Sequence, residues 1–300
     1  MAAASSFGEA AAKKGKHMNI KKIYSCLVLS VLINIFFTTF SWAGLRIDKP
    51  KVRLNIAPAS YDSGEVKVEN TGGEVLSVKV YLEDWVYAQQ DGGKTFAPKG
   101  TNALSCSDWI TFYPADFTLA ANDSRIVRYT VKVPKDARGG HYSVMFFETG
   151  GEDIETPNEE GTTVRIKVLN RLGALFYIEP EGTIKKAAEL KNLGLIHKLN
   201  DLIVSADLVN SGNTDITAGG TFNIIDKEGF VYARGAFDEV YTLPGDKAAL
   251  RSVAASTSLK PGTYDILITL DFQNGGTLVH ESQFDISADG AISLSAVQAQ

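Results

Sequence analysis

The sequence predicts an all-β protein with two tandem immunoglobulin-like β-sandwich domains that follow an N-terminal signal peptide. Three observations support this fold class. Apolar and polar residues alternate through most of the chain, turn sequences interrupt the alternation at short intervals, and one strand-turn pattern occurs twice. Alternation with a period of two is typical of strands with one face on a core. Short strands separated by frequent turns favour an antiparallel sandwich or barrel.

Residues 1–43 are expected to be a leader and signal peptide that is removed. Two lysines precede the apolar stretch 27–37, and small residues follow it at Ser41 and Ala43. This order of charge, apolar segment and cleavage site is that of secretory signal peptides. The alternative is an uncleaved membrane anchor, for which the stretch is short. We therefore expect an exported, periplasmic protein without stable membrane insertion after cleavage.

Charge and cysteine content exclude several function classes. The whole chain has a net charge of −5, and the leader holds five lysines against one glutamate, so the exported part carries about −9. An acidic chain without a lysine or arginine block is a poor binder of nucleic acid or anionic membranes. Of the two cysteines only Cys106 lies beyond the leader. Without an internal disulfide, stability must come from core burial.

Alternating runs and turns divide the exported chain into two domains. We place the N-terminal domain at 44–180 and the C-terminal domain at 181–287, with the boundary where an apolar run ends at Pro180. Residues 288–300 are small and polar and are expected to form a flexible tail. Ala187 to Leu195 is the one serious helix candidate. The clearest strand patterns are Val52 to Ile56, Val78 to Leu82, Val127 to Val133 and Val164 to Val168.

A repeated pattern indicates that both domains share one fold. Asn70-Thr-Gly and Asn210-Ser-Gly each end a strand in a turn, and a Gly-x-Tyr later enters an apolar strand, at Tyr142 and at Tyr264. Immunoglobulin-like sandwiches place a tyrosine corner at the start of a late strand, where the hydroxyl bonds to nearby backbone. We therefore expect two sandwiches of this kind.

The sequence lacks signatures of catalysis and of metal binding. His141, His197 and His280 are far apart and have no zinc-site spacing around them. Cys106 lies among serines and an acid, without a base that would activate its thiol. The acidic loop 150–160 does not have the ligand spacing of a calcium loop. We therefore expect no enzyme, no catalytic residues, no metal and no cofactor.

Trp85, Trp109 and Tyr113 leave two interpretations open. Exposed aromatic rings would form a platform for sugar rings, whereas buried rings would belong to the core. Trp85 follows the alternating run that ends at Leu82, which favours the core. A carbohydrate-binding sandwich is therefore one alternative function.

Two segments carry a family resemblance. The opening strand is Lys-Val-Arg-Leu-Asn-Ile with a lone Arg53, and the closing strand of the first domain runs from Thr163 to Leu175-Phe-Tyr177. This arrangement resembles the periplasmic chaperones of pilus assembly, the PapD-like family, over most of residues 45–180. The resemblance implies an ATP-independent chaperone that binds and stabilises incomplete pilus or surface-fibre subunits. It also allows an outer-membrane usher as a second partner.

The resemblance assigns a carboxylate anchor. In that family, basic residues at the cleft between the domains hold the carboxylate at the subunit's C-terminus. The matching positions here are Arg53 and Arg171, although Arg171 lies one residue further from Leu175 than the family spacing. A guanidinium fork can bind a carboxylate at two points. The alternative is that both arginines occupy exposed strand positions.

The resemblance also assigns a donor strand. The chaperone fills the groove that a subunit leaves where it lacks its own final strand. Val164, Ile166 and Val168 would supply the donated side chains. The same alternation would suit burial in the chain's own core, so periodicity does not separate the two uses. A cell-surface structural or adhesion protein with tandem sandwich modules is the remaining alternative.

Overall fold

The computed structural model describes residues 44–88, 93–150, 153–157, 163–198, 201–255, 259–273 and 275–295. Apart from one 3-10 turn at Ser107–Trp109, the regular structure of these residues is β-strand, which confirms the predicted fold class. Within these ranges, no helix is long and apolar enough to cross a membrane. The predicted signal peptide lies outside the described residues and stays a prediction.

The first sandwich uses two sheets and a separate hairpin. One sheet has the order β1-β3-β8-β6, and the larger has the order β2-β12-β9-β4-β5 with β7 added to β4. Strands β10 and β11 pair with each other as the hairpin. The strands are β1 (Leu45–Ile47), β2 (Lys51–Ile56), β3 (Tyr61–Asn70), β4 (Leu76–Tyr87), β5 (Lys94–Pro98), β6 (Ile110–Tyr113), β7 (Asp116–Leu119), β8 (Ser124–Lys132), β9 (His141–Thr149), β10 (Asp153–Pro157), β11 (Thr163–Lys167) and β12 (Asn170–Pro180).

Alternation along these strands produces the first core. One face of each sheet points inward, so every second residue is buried, as expected for a sandwich. On β12, Ala174, Phe176 and Ile178 are fully buried between the sheets. The facing sheet contributes alternate residues of β3 and β8 in the same way, among them Val66, Val68, Val127 and Val131.

The chain crosses from one sheet to the other near its described start. Strand β1 pairs antiparallel with β3, whereas β2 pairs parallel with β12. Asp48 fixes the crossing, because its N–H donates to the carbonyl of Lys67 and its carboxylate accepts the N–H of Lys67 at 2.8 Å. The N–H of Leu175 then donates to the carbonyl of Pro50 at 2.9 Å. As a result, β2 accompanies β12 only from Leu175 onward.

The second sandwich begins after residues 181–187. Its sheets have the orders β13-β14-β17 and β16-β15-β18-β19-β20. The strands are β13 (Ala188–Lys198), β14 (Asp201–Asn210), β15 (Ile216–Asp226), β16 (Val231–Thr242), β17 (Lys247–Ala254), β18 (Gly262–Phe272), β19 (Thr277–Ile286) and β20 (Ile292–Leu294). Among the described strands, each pairs only with strands of its own sandwich.

The helix candidate in the second domain is wrong, and part of the predicted tail forms a strand. Of the helix candidate Ala187–Leu195, all residues except Ala187 belong to β13, which pairs with β14 from Ala188 opposite Asn210. Within the predicted flexible tail, Ile292–Leu294 adds to β19 as a strand, with Phe284 opposite Leu294. In both cases pairing with a neighbouring strand decides the local structure, which single-segment propensity does not capture.

The repeated turn pattern has the same structural role in both sandwiches. The side-chain amide of Asn70 donates to the carbonyl of Glu74 at 2.7 Å, and its oxygen accepts the N–H of Gly72 at 2.9 Å. Asn210 repeats this arrangement with the carbonyl of Thr214 at 2.9 Å and the N–H of Gly212 at 3.0 Å. Both asparagines are buried. Each buried asparagine side chain therefore holds together the turn that follows its strand.

Candidate functional site

The larger sheet of the first sandwich has a partly uncovered edge at the start of β12. One side of β12 pairs with β9 from Asn170 to Ile178, and the other side pairs with β2 only from Leu175 to Pro180. Within the described part of the chain, Asn170 to Ala174 therefore have a strand partner on one side alone. We call these five residues the β12 edge.

The geometry identifies which backbone groups face outward at this edge. The N–H of Leu175 points toward β2, because it bonds to the carbonyl of Pro50. In a strand, successive residues direct their N–H and C=O groups to opposite sides. Gly173 and Arg171 therefore direct theirs to the uncovered side, whereas Leu172 and Ala174 bond to β9. The β12 edge thus offers two donors and two acceptors to another strand.

Apolar side chains beside the β12 edge are unusually exposed. Leu172 shares the inward face of the strand with Ala174 and Phe176, yet 36% of its surface is exposed, against 0% for both of those residues. Val168 and Leu169, just before the edge, are 40% and 48% exposed. The apolar side chains on the inward face of β12 therefore continue past the point where the chain's own core buries them. Such a row beside unpaired backbone is typical of a site for strand addition.

The predicted donor residues lie on and just after β11. Strand β11 pairs antiparallel with β10, with Val164 opposite Thr156 and Ile166 opposite Ile154. Among the described residues this is the one pairing of β11, and the hairpin is separate from the larger sheet. The side chains of Val164 and Ile166 lie outside what the structure describes, and Val168 is exposed. The donor assignment therefore stays a prediction.

Arg53 lies between the two sandwiches and is bound by two carboxylates. Its Nη1 donates to Glu179 Oε1 at 2.7 Å and to Asp215 Oδ1 at 3.0 Å, while Nη2 donates to Asp215 Oδ2 at 2.6 Å. The guanidinium also covers the ring of Tyr177, 4.5 Å from its centroid. Burial alone would lower the pKa of Arg53, but the hydrogen bond and charge of Asp215 raise it. The group is therefore a permanent cation held by its own chain.

Arg171 lies on the same face of the larger sheet as Arg53, but near the start of β12. Its Nη1 donates to Glu83 Oε2 at 3.2 Å and to the Tyr81 hydroxyl at 3.4 Å, and its guanidinium covers Phe146 at 4.1 Å. The Tyr81 hydrogen bond is the main reason that the pKa of Arg171 is raised. Arg53 stands opposite Tyr177 in the sheet, six residues further along β12. This corresponds to about 20 Å, so the structure does not bring the two predicted anchor residues together.

An aromatic layer covers the face of the larger sheet that points away from the first core. It consists of Trp85, Tyr87, Tyr142, Phe146 and Tyr177. Leu243 of the second sandwich packs into it. This layer corrects the carbohydrate interpretation, because Trp85 is 1% exposed and its indole N–H donates to the carbonyl of Ser143.

The other two aromatic residues of the sugar platform are elsewhere. Trp109 packs partly buried against the first core and lies 4.2 Å from the ring of His141. Tyr113 is exposed at the end of β6. Trp85, Trp109 and Tyr113 thus do not form one exposed surface.

Two tyrosines of the layer meet through their hydroxyl groups. The hydroxyl oxygens of Tyr87 and Tyr177 are 3.3 Å apart. Burial is the main cause that raises the pKa of Tyr177 to about 12, and burial raises the pKa of Tyr87 as well. Both groups therefore remain neutral at physiological pH and keep their protons for hydrogen bonding.

The remaining polar and thiol groups have structural roles. Cys106 is completely buried, and burial raises the pKa of its thiol well above the usual value, so it is poorly suited as a nucleophile. The neighbouring Asp84 is buried and accepts hydrogen bonds from the hydroxyls of Ser105 and Ser107, both at 2.6 Å. Among the described residues, histidine, cysteine and acidic side chains form no group of three that could hold a metal ion.

Similarity to known proteins is found among solved structures. No protein-family model and no curated protein sequence matches the chain. It is similar to a chain from the chaperone–tip adhesin complex of CFA/I fimbriae biogenesis, with 14% identity over 80% of this chain and 98% of that chain and a TM-score of 0.47. The E. coli chaperone DraB has 14% identity over 80% and 95%, with a TM-score of 0.39.

A third similar structure comes from Acinetobacter baumannii, the complex of the CsuC chaperone and CsuE tip adhesion subunit of archaic Csu pili. It shows 11% identity over 80% of this chain and 98% of that chain, with a TM-score of 0.41. The chain is similar to each of these three structures over about four fifths of its length.

Proposed function

We propose that this protein is an exported, ATP-independent chaperone that stabilises incomplete pilus or surface-fibre subunits by adding a strand to them. The observation that carries the proposal is the β12 edge, where outward backbone groups of Arg171 and Gly173 lie beside the exposed side chain of Leu172. A subunit that lacks one strand has the complementary feature, an apolar groove flanked by unpaired backbone. If the β12 edge pairs with the subunit groove, the unpaired backbone groups of both proteins form hydrogen bonds with each other.

The energetics of such a complex combine apolar burial with backbone pairing. Full burial of an aliphatic side chain contributes on the order of 1.5 to 3 kcal/mol. Val168, Leu169 and Leu172 are partly exposed, so each can contribute only part of this amount. The hydrogen bonds of the edge add direction and register, because a slip by one residue would turn Leu172 away from the groove. No nucleotide is required, since completion of the subunit by another strand releases it.

The carboxylate anchor at Arg53 and Arg171 stays a prediction within this proposal. A subunit carboxylate at Arg53 would have to share the guanidinium with Asp215 and Glu179. Arginine has five N–H donors, and three hydrogen bonds join Arg53 to these carboxylates. Donors therefore remain for a further anion, but two carboxylates already exceed the single positive charge of Arg53.

Co-expression with an immunoglobulin-like fibre subunit of the same host tests the proposal. In Leu172→Asp, a charge replaces the exposed apolar side chain at the β12 edge. The matched control is Leu294→Asp, because Leu294 is a 39% exposed leucine on β20 of the second sandwich. We expect tagged subunit to recover at least tenfold less of the Leu172 variant than of the control. Equal recovery of the two folded variants would contradict strand addition at this edge.

Cell fractionation tests the proposed location and the competing module. A chaperone that releases its subunits should form a free periplasmic pool, because it is exported and then recycled. A structural or adhesive protein of the cell surface should instead remain with the outer membrane or the wall. Recovery of nearly all of the chain in that bound fraction would favour the surface module over the chaperone.

A further inference from the structure

The second sandwich has a strand, β19, whose outer side is covered over only part of its length. Strand β20 pairs with β19 at residues 284–286, and the N–H of Ser295 then donates to the carbonyl of Gln283 at 2.8 Å. On its other side β19 pairs with β18 along its whole length. Among the described residues, 277–282 therefore have a strand partner on one side alone. We call this segment the β19 edge.

The hydrogen bond at Gln283 identifies the backbone groups that face outward at the β19 edge. Because Gln283 directs its carbonyl toward β20, its N–H points the same way, and every second residue along the strand does likewise. Thr277, Val279 and Glu281 therefore direct their N–H and C=O groups to the uncovered side, whereas the residues between them bond to β18. The side chains of these three residues lie on the solvent face of the sheet, where Val279 is 59% exposed.

The β19 edge lacks the features that usually protect an exposed strand from pairing. Such strands are commonly blocked by bulges, prolines or lysines. Residues 277–282 read Thr-Leu-Val-His-Glu-Ser, and their pairing with β18 shows no register shift. By contrast, β13 at the edge of the facing sheet has a bulge between Lys191 and Gly194. The β19 edge is therefore an open template for another strand.

The β19 edge is complementary to itself in an antiparallel two-fold arrangement. Opposite residues that face each other across such a pair exchange both backbone hydrogen bonds. With the axis at Val279, Thr277 of one copy lies opposite Glu281 of the other, so every outward-facing residue of the edge forms both of its bonds. The exposed Val279 side chains then contact each other.

Other positions of the axis are less favourable. An axis at Glu281 would bring two negative charges together, and like charges directly opposite each other destabilise a strand pair. An axis at His280 would place Thr277 opposite Gln283, whose carbonyl is already bonded to Ser295. Charge and backbone pairing therefore select the axis at Val279.

We propose that the protein forms a two-fold symmetric homodimer in which the β19 edges of two copies pair antiparallel about Val279. An isologous contact of this kind closes on itself, so it covers both β19 edges and does not propagate into a fibre. The five-stranded sheet of each second sandwich continues into that of the other copy. The β12 edge belongs to the first sandwich and takes no part in this contact. The dimer therefore goes beyond the proposed function and does not depend on it.

Sedimentation of the full-length exported protein, without any subunit, tests the dimer. We expect a reversible equilibrium between monomer and dimer at concentrations up to about 1 mM. Val279→Lys places two like charges at the two-fold axis and should raise the dissociation constant about fivefold. The matched control is Val253→Lys, because Val253 is a 49% exposed valine on β17 of the same sandwich. A monomer at all these concentrations, or equal effects of the two substitutions, would overturn the proposal.

A charge introduced at Thr277 tests the position of the axis. Thr277→Lys would lie opposite Glu281 of the other copy on both sides of the axis, so it should lower the dissociation constant about threefold. Adding Glu281→Gln to this variant should abolish the gain. A gain that persists without Glu281, or no gain at all, would contradict pairing about Val279.

Hydrogen exchange distinguishes a second copy from cover by the protein's own chain. The outward N–H groups of Thr277, Val279 and Glu281 should be protected at concentrations where the dimer dominates. They should exchange rapidly after dilution to the monomer and in Val279→Lys. Protection that persists in the monomer would show that the chain covers its own β19 edge, and that result would overturn the dimer. None of these measurements involves the β12 edge, so failure here is distinguishable from failure of strand addition, which Leu172→Asp tests separately.

Discussion

Arg53 and Asp215 join the two sandwiches at two points, although 162 residues separate them in the sequence. The side chain of Asp215 is 2% exposed and that of Arg53 is 22% exposed, so the pair is largely shielded from water. Glu179, at the end of β12, adds a second carboxylate from the first sandwich. The arginine of the opening strand therefore fixes a contact between domains, whether or not it also meets a partner.

Replacement of Arg53 should destabilise the protein considerably. In Arg53→Ala, Asp215 would remain buried without a counter-ion, and loss of one partner of a buried pair costs about 3 kcal/mol. Urea unfolding followed by tryptophan fluorescence measures the change. The control is Arg46→Ala, which breaks the exposed pair with Glu69 and should cost a small fraction of that amount. Equal effects of the two substitutions would show that Arg53 contributes no more than a surface ion pair.

The two buried asparagines should contribute equally and independently. Asn70→Ala or Asn210→Ala removes the hydrogen bonds that close one turn, and each buried group left unpaired costs about 1 to 3 kcal/mol. The sites lie in different sandwiches, so the double variant should show the sum of the single effects within about 0.5 kcal/mol. Asn55→Ala, at an exposed position on β2, is the control for chemical denaturation. A marked departure from additivity would indicate that the repeated turns are coupled.

Asp84 should make the protein sensitive to acid. Burial alone would raise the pKa of Asp84, but hydrogen bonds from Ser105, Ser107 and two backbone N–H groups outweigh burial and lower it below 3.8. The stabilisation that the ionised Asp84 carboxylate gives to the folded state is therefore complete above pH 3.8. It is lost as the pH falls through the lower pKa of Asp84 in the folded state. We expect unfolding free energies between about pH 5 and pH 2 to decline less steeply in Asp84→Asn than in the parent protein. Parallel declines would exclude a depressed pKa.

The sequence predicted features that depend on local periodicity. Alternation along Val164 to Val168 and Val127 to Val133 gave strands in the expected places, and the two asparagine turns were recognised from Asn-(Thr/Ser)-Gly. Tyr264 was also correctly placed as a tyrosine corner, because its hydroxyl donates to the carbonyl of Lys260 at 3.1 Å. Each of these features is encoded within a few neighbouring residues.

Features that depend on distant residues were not predictable in this way. Tyr142 occupies the position that matches Tyr264, but it packs in the aromatic layer 5.7 Å from both Trp85 and Tyr177. The partner of Arg53, Asp215, lies in the other sandwich, 162 residues along the chain. No local pattern distinguishes these residues from other charged or aromatic positions on strands.

Hydrogen exchange at the β12 edge tests the central claim most directly. In the free protein, the outward N–H groups of Arg171 and Gly173 should exchange rapidly, while those of Leu172 and Ala174, which bond to β9, should be protected. In the complex with a subunit, Arg171 and Gly173 should become protected too. Strong protection of these two amides in the free, monomeric protein would show that the edge is already covered, and that result would contradict strand addition.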